Sequence, residues 1–308
     1  NTHIGLPLTL LQMNVTHNIS ILEMGASVPG EIEGLCKIAR PTHGLITNIA
    51  TAHLEGFGSI ENIAHEKGAL FRSVESNGTA FFNKTDDMIN NISYKGKKVT
   101  FGLTPDCDFP ADIYQKEDGT LAFILDTHEI HTGTHNLSFI KNSIAVSALA
   151  ITLGIDWDVL KTKLLSFTAP PGRCNVKHFN GVTIIDDTYN ANLASSLAAI
   201  DYLNAFSGNG RRILVFGDMF ELGTSSNEQH RRIGQKCSEL NLDGVYTIGN
   251  HTKHTDSAIS NGIDHIHYNS KDNLITSLRK KIIAGDKILF KGSRGMEMEK
   301  VIKGVFDL

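Results

Sequence analysis

Short, β-rich apolar runs alternate with helix-length segments along this chain, and the pattern is broken once, at Pro170-Pro171; nothing else constrains the fold as strongly. Ser20–Gly25, Gly44–Ile49, Gly78–Asn83 and Lys98–Gly102 read as strands, with helical spacing over about residues 31–39 and 59–74. Strands that alternate with helices predict a parallel sheet in an α/β domain. From Asp112 to Phe139 the alternation gives way to hairpin-like pieces around Asp118-Gly119 and His131-Thr132-Gly133, and an apolar helix is expected over Asn142–Leu153. Ala169-Pro170-Pro171-Gly172 ends helices and sets a stiff turn, so the expected domains are residues 1–169 and 170–308. After that break the pattern restarts. Val182–Ile185, Arg212–Gly217, Gly244–Gly249 and Lys287–Phe290 read as strands, with helices near residues 194–206, 227–240 and 272–283 and a closing helix from Gly295. These strand–helix units predict a Rossmann-like second domain. In such sheets ligands gather beyond the carboxyl ends of the strands, where Asp186, Asp187, Asp218 and Lys291 would sit.

Composition removes several classes of function. The 29 basic and 33 acidic residues are scattered, which leaves no basic stripe to neutralise a nucleic-acid backbone. The longest apolar run, Ile144–Ile155, is broken by Ser147, Thr152 and Gly154 and falls short of the roughly 20 residues that span a bilayer, so no membrane insertion is expected. Cys36, Cys107, Cys174 and Cys237 are too far apart for a C-x-x-C metal or redox pair, and a reducing cytoplasm is the expected compartment.

Several side chains sit where chemistry could be done, each beside a plainer reading. Glu23, at the end of an apolar run, could hold a hard cation such as Mg²⁺ through oxygen, or be a solvated carboxylate. His53 lies in a loop after the second strand, and Lys67 two turns into the helix that starts near Ser59; alone they read as surface residues. Asn142 opens the apolar helix and could be its cap. Lys291-Gly292-Ser293-Arg294-Gly295 leaves a strand and opens a helix, so its amides and two cations could bind an anion, or form a solvated loop. Residue patterns alone stop at a two-domain α/β protein with the look of an enzyme.

The literal strings go further. Glu23-Met24-Gly25-Ala26, the run Thr47–Ser59 around His53, and Glu66-Lys67-Gly68 resemble the central domain of the Mur ligases. The resemblance continues through Gly172-Arg173, Ile185–Asn192, Phe216–Gly223 and Lys291–Met296, essentially the whole chain. The Asp-Asp-x-Tyr-Asn-Ala-Asn string at Asp186–Asn192 and the Gly-Asp-Met-x-Glu-Leu-Gly string at Gly217–Gly223 are most similar to the MurF type, which joins UDP-N-acetylmuramoyl-tripeptide to D-Ala-D-Ala. The resemblance implies an ATP-dependent ligase of peptidoglycan synthesis, cytoplasmic and monomeric, in which a carboxylate becomes an acyl phosphate and an amine then displaces phosphate. It implies Glu23, His53 and Lys67 as Mg²⁺ ligands, Lys67 as a carbamylated lysine, and His53 and Lys67 as the catalytic pair. It implies Asn142, Arg173 and Asp187 as contacts to adenine, phosphate and ribose of ATP. Tyr189, Asn190 and Asn192 then face the incoming dipeptide, and Lys291, Ser293 and Arg294 its carboxylate. Leu193 stands where the family usually has Pro, and His230 fits the family run without an evident role.

ATP-dependent Mur ligases cradle the phosphates in a Gly-x-x-Gly-Lys-Ser/Thr loop, and no such string occurs in these 308 residues. The expectation is therefore a P-loop-type central ATPase domain truncated at its N-terminal edge, followed by the Rossmann-like domain, and the chain by itself is not expected to catalyse ligation. The alternatives are a non-catalytic nucleotide- or peptide-binding module derived from such a ligase, and another Mur-related amino-acid ligase.

Overall fold

The computed structural model describes residues 2–50, 54–117, 119–206, 208–260 and 262–307. The chain divides into two compact units. The first holds residues up to Tyr114 together with Ala122–Thr132 and Phe139–Leu165; the second holds Gln115–Leu121, Gly133–Ser138 and the chain from Ser166.

In the first unit, strands His43–Leu45 (β1), Thr79–Asn83 (β2), Lys97–Gly102 (β3), Phe109–Gln115 (β4), Leu121–Leu125 (β5) and His128–Thr134 (β6) form one sheet in chain order. β1 to β4 are parallel neighbours. The helices are Gly5–Leu11 (α1), Glu31–Ala39 (α2), Leu54–Phe57 (α3), Ile60–Arg72 (α4), Asp87–Asn90 (α5), Leu137–Thr152 (α6) and Trp157–Leu165 (α7). The core between α4 and the sheet is built from Ile63, Phe71, Ala80, Phe82 and Ile89. A buried carboxylate fixes α2 to α4: Glu66 accepts the Gly30 and Ile32 amides, both at 2.7 Å, at the otherwise unpaired N-terminus of α2.

Three expectations are corrected here. Ser20–Gly25 pairs with no described strand, because the sheet ends at the three-residue β1 and an apolar run without a ladder is not a strand. Instead Met24 and Ala26 pack on Ile32, Cys36 and Ala69. The apolar helix starts at Leu137, which puts Asn142 inside α6, exposed, and removes its reading as a cap. His131-Thr132-Gly133 lies within β6, and the reversal between β5 and β6 is made by Asp126 and Thr127, at φ of 43° and 69°. That two-residue turn uses left-handed backbone without the Asn-Gly signal that would have announced it.

The second unit contains Asn175–Phe179 (β7), Val182–Asp187 (β8), Arg212–Gly217 (β9), Gly244–Ile248 (β10), Asp264–Tyr268 (β11) and Lys287–Lys291 (β12). Its sheet order is β11-β10-β9-β12-β8-β7, parallel except for the antiparallel β7–β8 pair. Leu193–Ala205 (α8), Ser226–Glu239 (α9), Lys253–Asp256 (α10), Lys271–Lys281 (α11) and Glu299–Phe306 (α12) complete it. Consecutive strand residues go to opposite cores. Ile184, Val215, Ile288 and Phe290 join Leu274, Leu278 and Val301 on one face; Ile185, Leu214, Phe216 and Leu289 join Ile200, Leu203 and Ile233 on the other. Continuous apolar strands are what a sheet buried on both faces requires. β11 escapes the sequence pattern because it is an edge strand, reading Asp-His-Ile-His-Tyr with exposed and half-buried positions only. The closing segment differs too: Arg294–Met296 is a single 3₁₀ turn, and α12 begins only at Glu299.

Candidate functional site

The chain leaves β9 for β10 and β11 on one side and returns to β12 on the other, so the carboxyl ends of β8, β9 and β12 open at a topological switch point. Asp187, Lys291, Ser293 and Asp218 all come from those ends. Register pairs Lys291 with Asp187 across β12 and β8. Lys291 Nζ donates to Asp187 Oδ2 at 2.6 Å and to the Asn190 carbonyl at 2.9 Å, and the Lys291 side chain is 2% exposed. The Lys291 ammonium is thus enclosed and paired with a carboxylate. Ser293 is equally committed, accepting the Phe220 amide at 2.8 Å and donating to the Ala191 carbonyl at 3.3 Å. Arg294 is the cation of that string that reaches solvent, paired there with Glu299 at 3.0 Å.

The Asp186–Asn192 string is folded by its own polar groups. Asp186 accepts from Thr188 at 2.7 Å and from Lys177 at 3.4 Å. Asp187 Oδ1 accepts the Cys174 amide at 3.0 Å. Asn192 is the N-cap of α8, in a reciprocal box with Ser195, so its carbonyl oxygen is used by the helix. Tyr189 and Asn190 are exposed. The Arg173 guanidinium lies over the Tyr189 ring, 4.1 Å from its centroid.

His230 has a definite role. It is fully buried; its Nδ1–H donates to the Ser226 carbonyl at 2.7 Å and its Nε2 accepts the Met219 amide at 3.0 Å. Burial holds its pKa below the ordinary 6.5, in keeping with a neutral ring. Asp218 accepts three successive amides, from Asn250, His251 and Thr252 at 2.7–3.0 Å. The Gly217–Gly223 string is thus held by one buried histidine and one buried carboxylate. Its sequence shows the residues but not these partners, which lie 11 and more than 30 positions away.

In the first unit Lys67 projects from α4 and donates to the Asn48 carbonyl at 2.9 Å, in the loop after β1. The same loop is braced by Asp86, which accepts the Ile49 amide at 2.8 Å, and by Asn83, which donates to Thr47 at 3.2 Å. Asp86 is readable in the sequence only as the cap of α5; its reach to Ile49 is tertiary. Burial lowers the Lys67 pKa from the ordinary 10.5, partly opposed by Asp86. Glu66, next in sequence, points away and caps α2. Glu23 is exposed on an unpaired segment, and His53 lies outside the described residues. Among the described residues no three His, Cys, Asp or Glu side chains cluster as a metal site. No described helix is long and apolar enough to cross a membrane.

Residues 1–150 match the Mur ligase middle domain and residues 172–294 match the domain described as "Mur ligase, glutamate ligase domain". UDP-N-acetylmuramoyl-tripeptide--D-alanyl-D-alanine ligase of Escherichia coli is 34% identical over 99% of this chain and 69% of its own length. The Bacillus subtilis enzyme of the same name is 33% identical over 100% of the chain and 68% of its own. Among solved structures, MurF from Acinetobacter baumannii superposes with a TM-score of 0.90 at 28% identity, covering 100% of this chain and 69% of that one. MurF ligase from Thermotoga maritima in complex with ADP gives 0.88 at 30% identity, covering 100% and 71%.

Proposed function

Because the chain belongs to the Mur ligase family, we propose for it the reaction of the MurF type: ATP-dependent amide formation between UDP-N-acetylmuramoyl-tripeptide and D-Ala-D-Ala. One observation carries the reading: similarity at 34% identity runs over 99% of the chain to an enzyme of that name. The tripeptide carboxylate takes the γ-phosphoryl group of ATP, and the dipeptide amine then attacks the acyl phosphate and releases phosphate. Negative charge accumulates on phosphoryl and acyl oxygens, so the residues that matter are cations and oriented donors.

Each side chain has a part consistent with its surroundings. Arg173, exposed and without an ion pair among the described residues, offers its guanidinium to the nucleotide phosphates. Asp187 already accepts two donors, but a carboxylate has about four lone-pair sites, which leaves capacity for a ribose hydroxyl. Asn142 faces solvent from α6 for adenine. Tyr189 and Asn190 are open to the dipeptide, and Arg294 is the cation free enough to meet its carboxylate. Asn192, Lys291 and Ser293 act by shaping this loop.

The Mg²⁺ that the family implies fits the donor set on one condition. Unmodified Lys67 is a cation, whereas the carbamate formed when its neutral amine adds CO₂ and releases a proton is an oxygen donor like Glu23. The lowered pKa of Lys67 favours that neutral amine. In this reading Glu23, His53 and carbamylated Lys67 hold Mg²⁺, which when bound neutralises phosphoryl oxygens. The enzyme is read as a cytoplasmic monomer.

The test is made on the gene product that carries these residues. Phosphate release from Mg-ATP should require both UDP-N-acetylmuramoyl-tripeptide and D-Ala-D-Ala and match the pentapeptide product mole for mole. Turnover with a single amino acid in place of the dipeptide, and none with D-Ala-D-Ala, overturns the assignment.

A further inference from the structure

Two backbone segments of the second unit are zipped together beside the Asp186–Asn192 string. The Tyr189 amide donates to the Gly172 carbonyl at 2.9 Å, and the Cys174 amide donates to Asp187 Oδ1 at 3.0 Å. Between these two bonds Arg173 turns outward, its own amide bonded to the Pro170 carbonyl at 3.2 Å. Gly172 makes the approach feasible. Its φ is +77°, and a Cβ there would stand 3.1 Å from the Tyr189 nitrogen and 3.3 Å from the Tyr189 Cβ.

The zipped segments put the Arg173 guanidinium over the Tyr189 ring, its central carbon 4.1 Å from the ring centroid. Arg173 is exposed and makes no ion pair among the described residues, so its charge is not neutralised by a neighbouring carboxylate. A ring face restrains a guanidinium without neutralising it and does not use up its five N–H donors, so a two-pronged contact of the kind that suits a phosphate is still open to it.

We propose that Tyr189 is a positioning residue for Arg173, holding the guanidinium ready for the nucleotide phosphates, rather than chiefly a dipeptide contact. The inference rests on the ligase reading above. It predicts that the ring matters and the phenolic hydroxyl does not.

The experiment measures ADP affinity and the separate KM values for ATP and D-Ala-D-Ala in the gene product that carries this chain. The variants are Tyr189→Leu, Tyr189→Phe, Arg173→Ala and the Tyr189→Leu/Arg173→Ala double, each checked for native unfolding behaviour. Tyr189→Leu should weaken ADP binding and raise the KM for ATP by about twofold to fivefold, the range of an exposed cation–π pair. Tyr189→Phe should recover the affinity, and in the double variant removal of the ring should add nothing to Arg173→Ala. The inference is overturned if Tyr189→Leu raises only the KM for D-Ala-D-Ala, if Tyr189→Phe is as weak as Tyr189→Leu, or if the two changes simply add. It is also overturned if Arg173→Ala leaves nucleotide binding intact. Wild-type ligation measured in the same series separates these outcomes from failure of the ligase assignment itself.

Discussion

Lys291 and Asp187 occupy paired positions on neighbouring parallel strands, with 2.6 Å between Nζ and Oδ2 and side chains 2% and 14% exposed. The pair ties the third strand end of the site to the string that follows the first, since the same ammonium also holds the Asn190 carbonyl. Its members therefore act on shape before they act on any substrate.

Breaking this pair should be costly from either side. Lys291→Met or Asp187→Ala leaves one buried, unpaired charge, and each is expected to lose about 3–5 kcal/mol of stability. The double variant should lose less than the sum of the two, read from urea unfolding of all four proteins. Asp187→Ala should also raise the KM for ATP, so its kinetics must be measured where the variant is still folded.

Lys67 should be essential and alkali-linked. Lys67→Ala is expected to reduce ligation by about 100-fold or more through loss of charge stabilisation. Labelled bicarbonate should give a carbamate signal that Lys67→Ala lacks. Because burial depresses the folded pKa, the unfolded chain binds more protons between that value and the ordinary 10.5. Stability in the unmodified protein should therefore rise with pH across that window, and Lys67→Met should remove the rise.

His230 should make the second unit acid-sensitive. Its folded pKa lies below 6.5, so its contribution is complete above pH 6.5 and is lost as pH falls through the folded value. Protonation of Nε2 would also set an N–H against the Met219 amide that it now accepts. Unfolding midpoints below pH 6.5 should fall more steeply in wild type than in His230→Gln.

The β5–β6 turn carries relievable strain. Thr127 is β-branched at a φ of 69°, a conformation that costs roughly 1–2 kcal/mol for any side chain. Thr127→Gly is expected to stabilise the first unit by about 1 kcal/mol, after allowing for the greater entropy that Gly loses. Thermal unfolding provides the measurement; a lower midpoint would contradict the strain.

Local signals in the sequence were legible where contiguous residues supply the physics. The strand–helix alternation of residues 182–291 and most helices of the second unit needed only apolar spacing and turn chemistry. Ser20–Gly25 misled because its apolar content is that of a strand, while strand formation depends on a partner that the described sheet does not offer. Apolar spacing alone puts the start of α6 at Asn142, five residues late, because helix ends are set by local hydrogen bonds rather than by the apolar stripe.

The sequence by itself determined the family, the α/β class and which polar strings stand at the strand ends. Tertiary structure decided which of those polar groups are available. Arg173 and Lys291 are both cations beside glycine in recognisable strings, yet Lys291 is enclosed against Asp187, 104 positions away, and Arg173 is left open over Tyr189. The reason is that a charge's function depends on desolvation and on the partner that strand register brings to it. Neither quantity is carried by neighbouring residues in the chain.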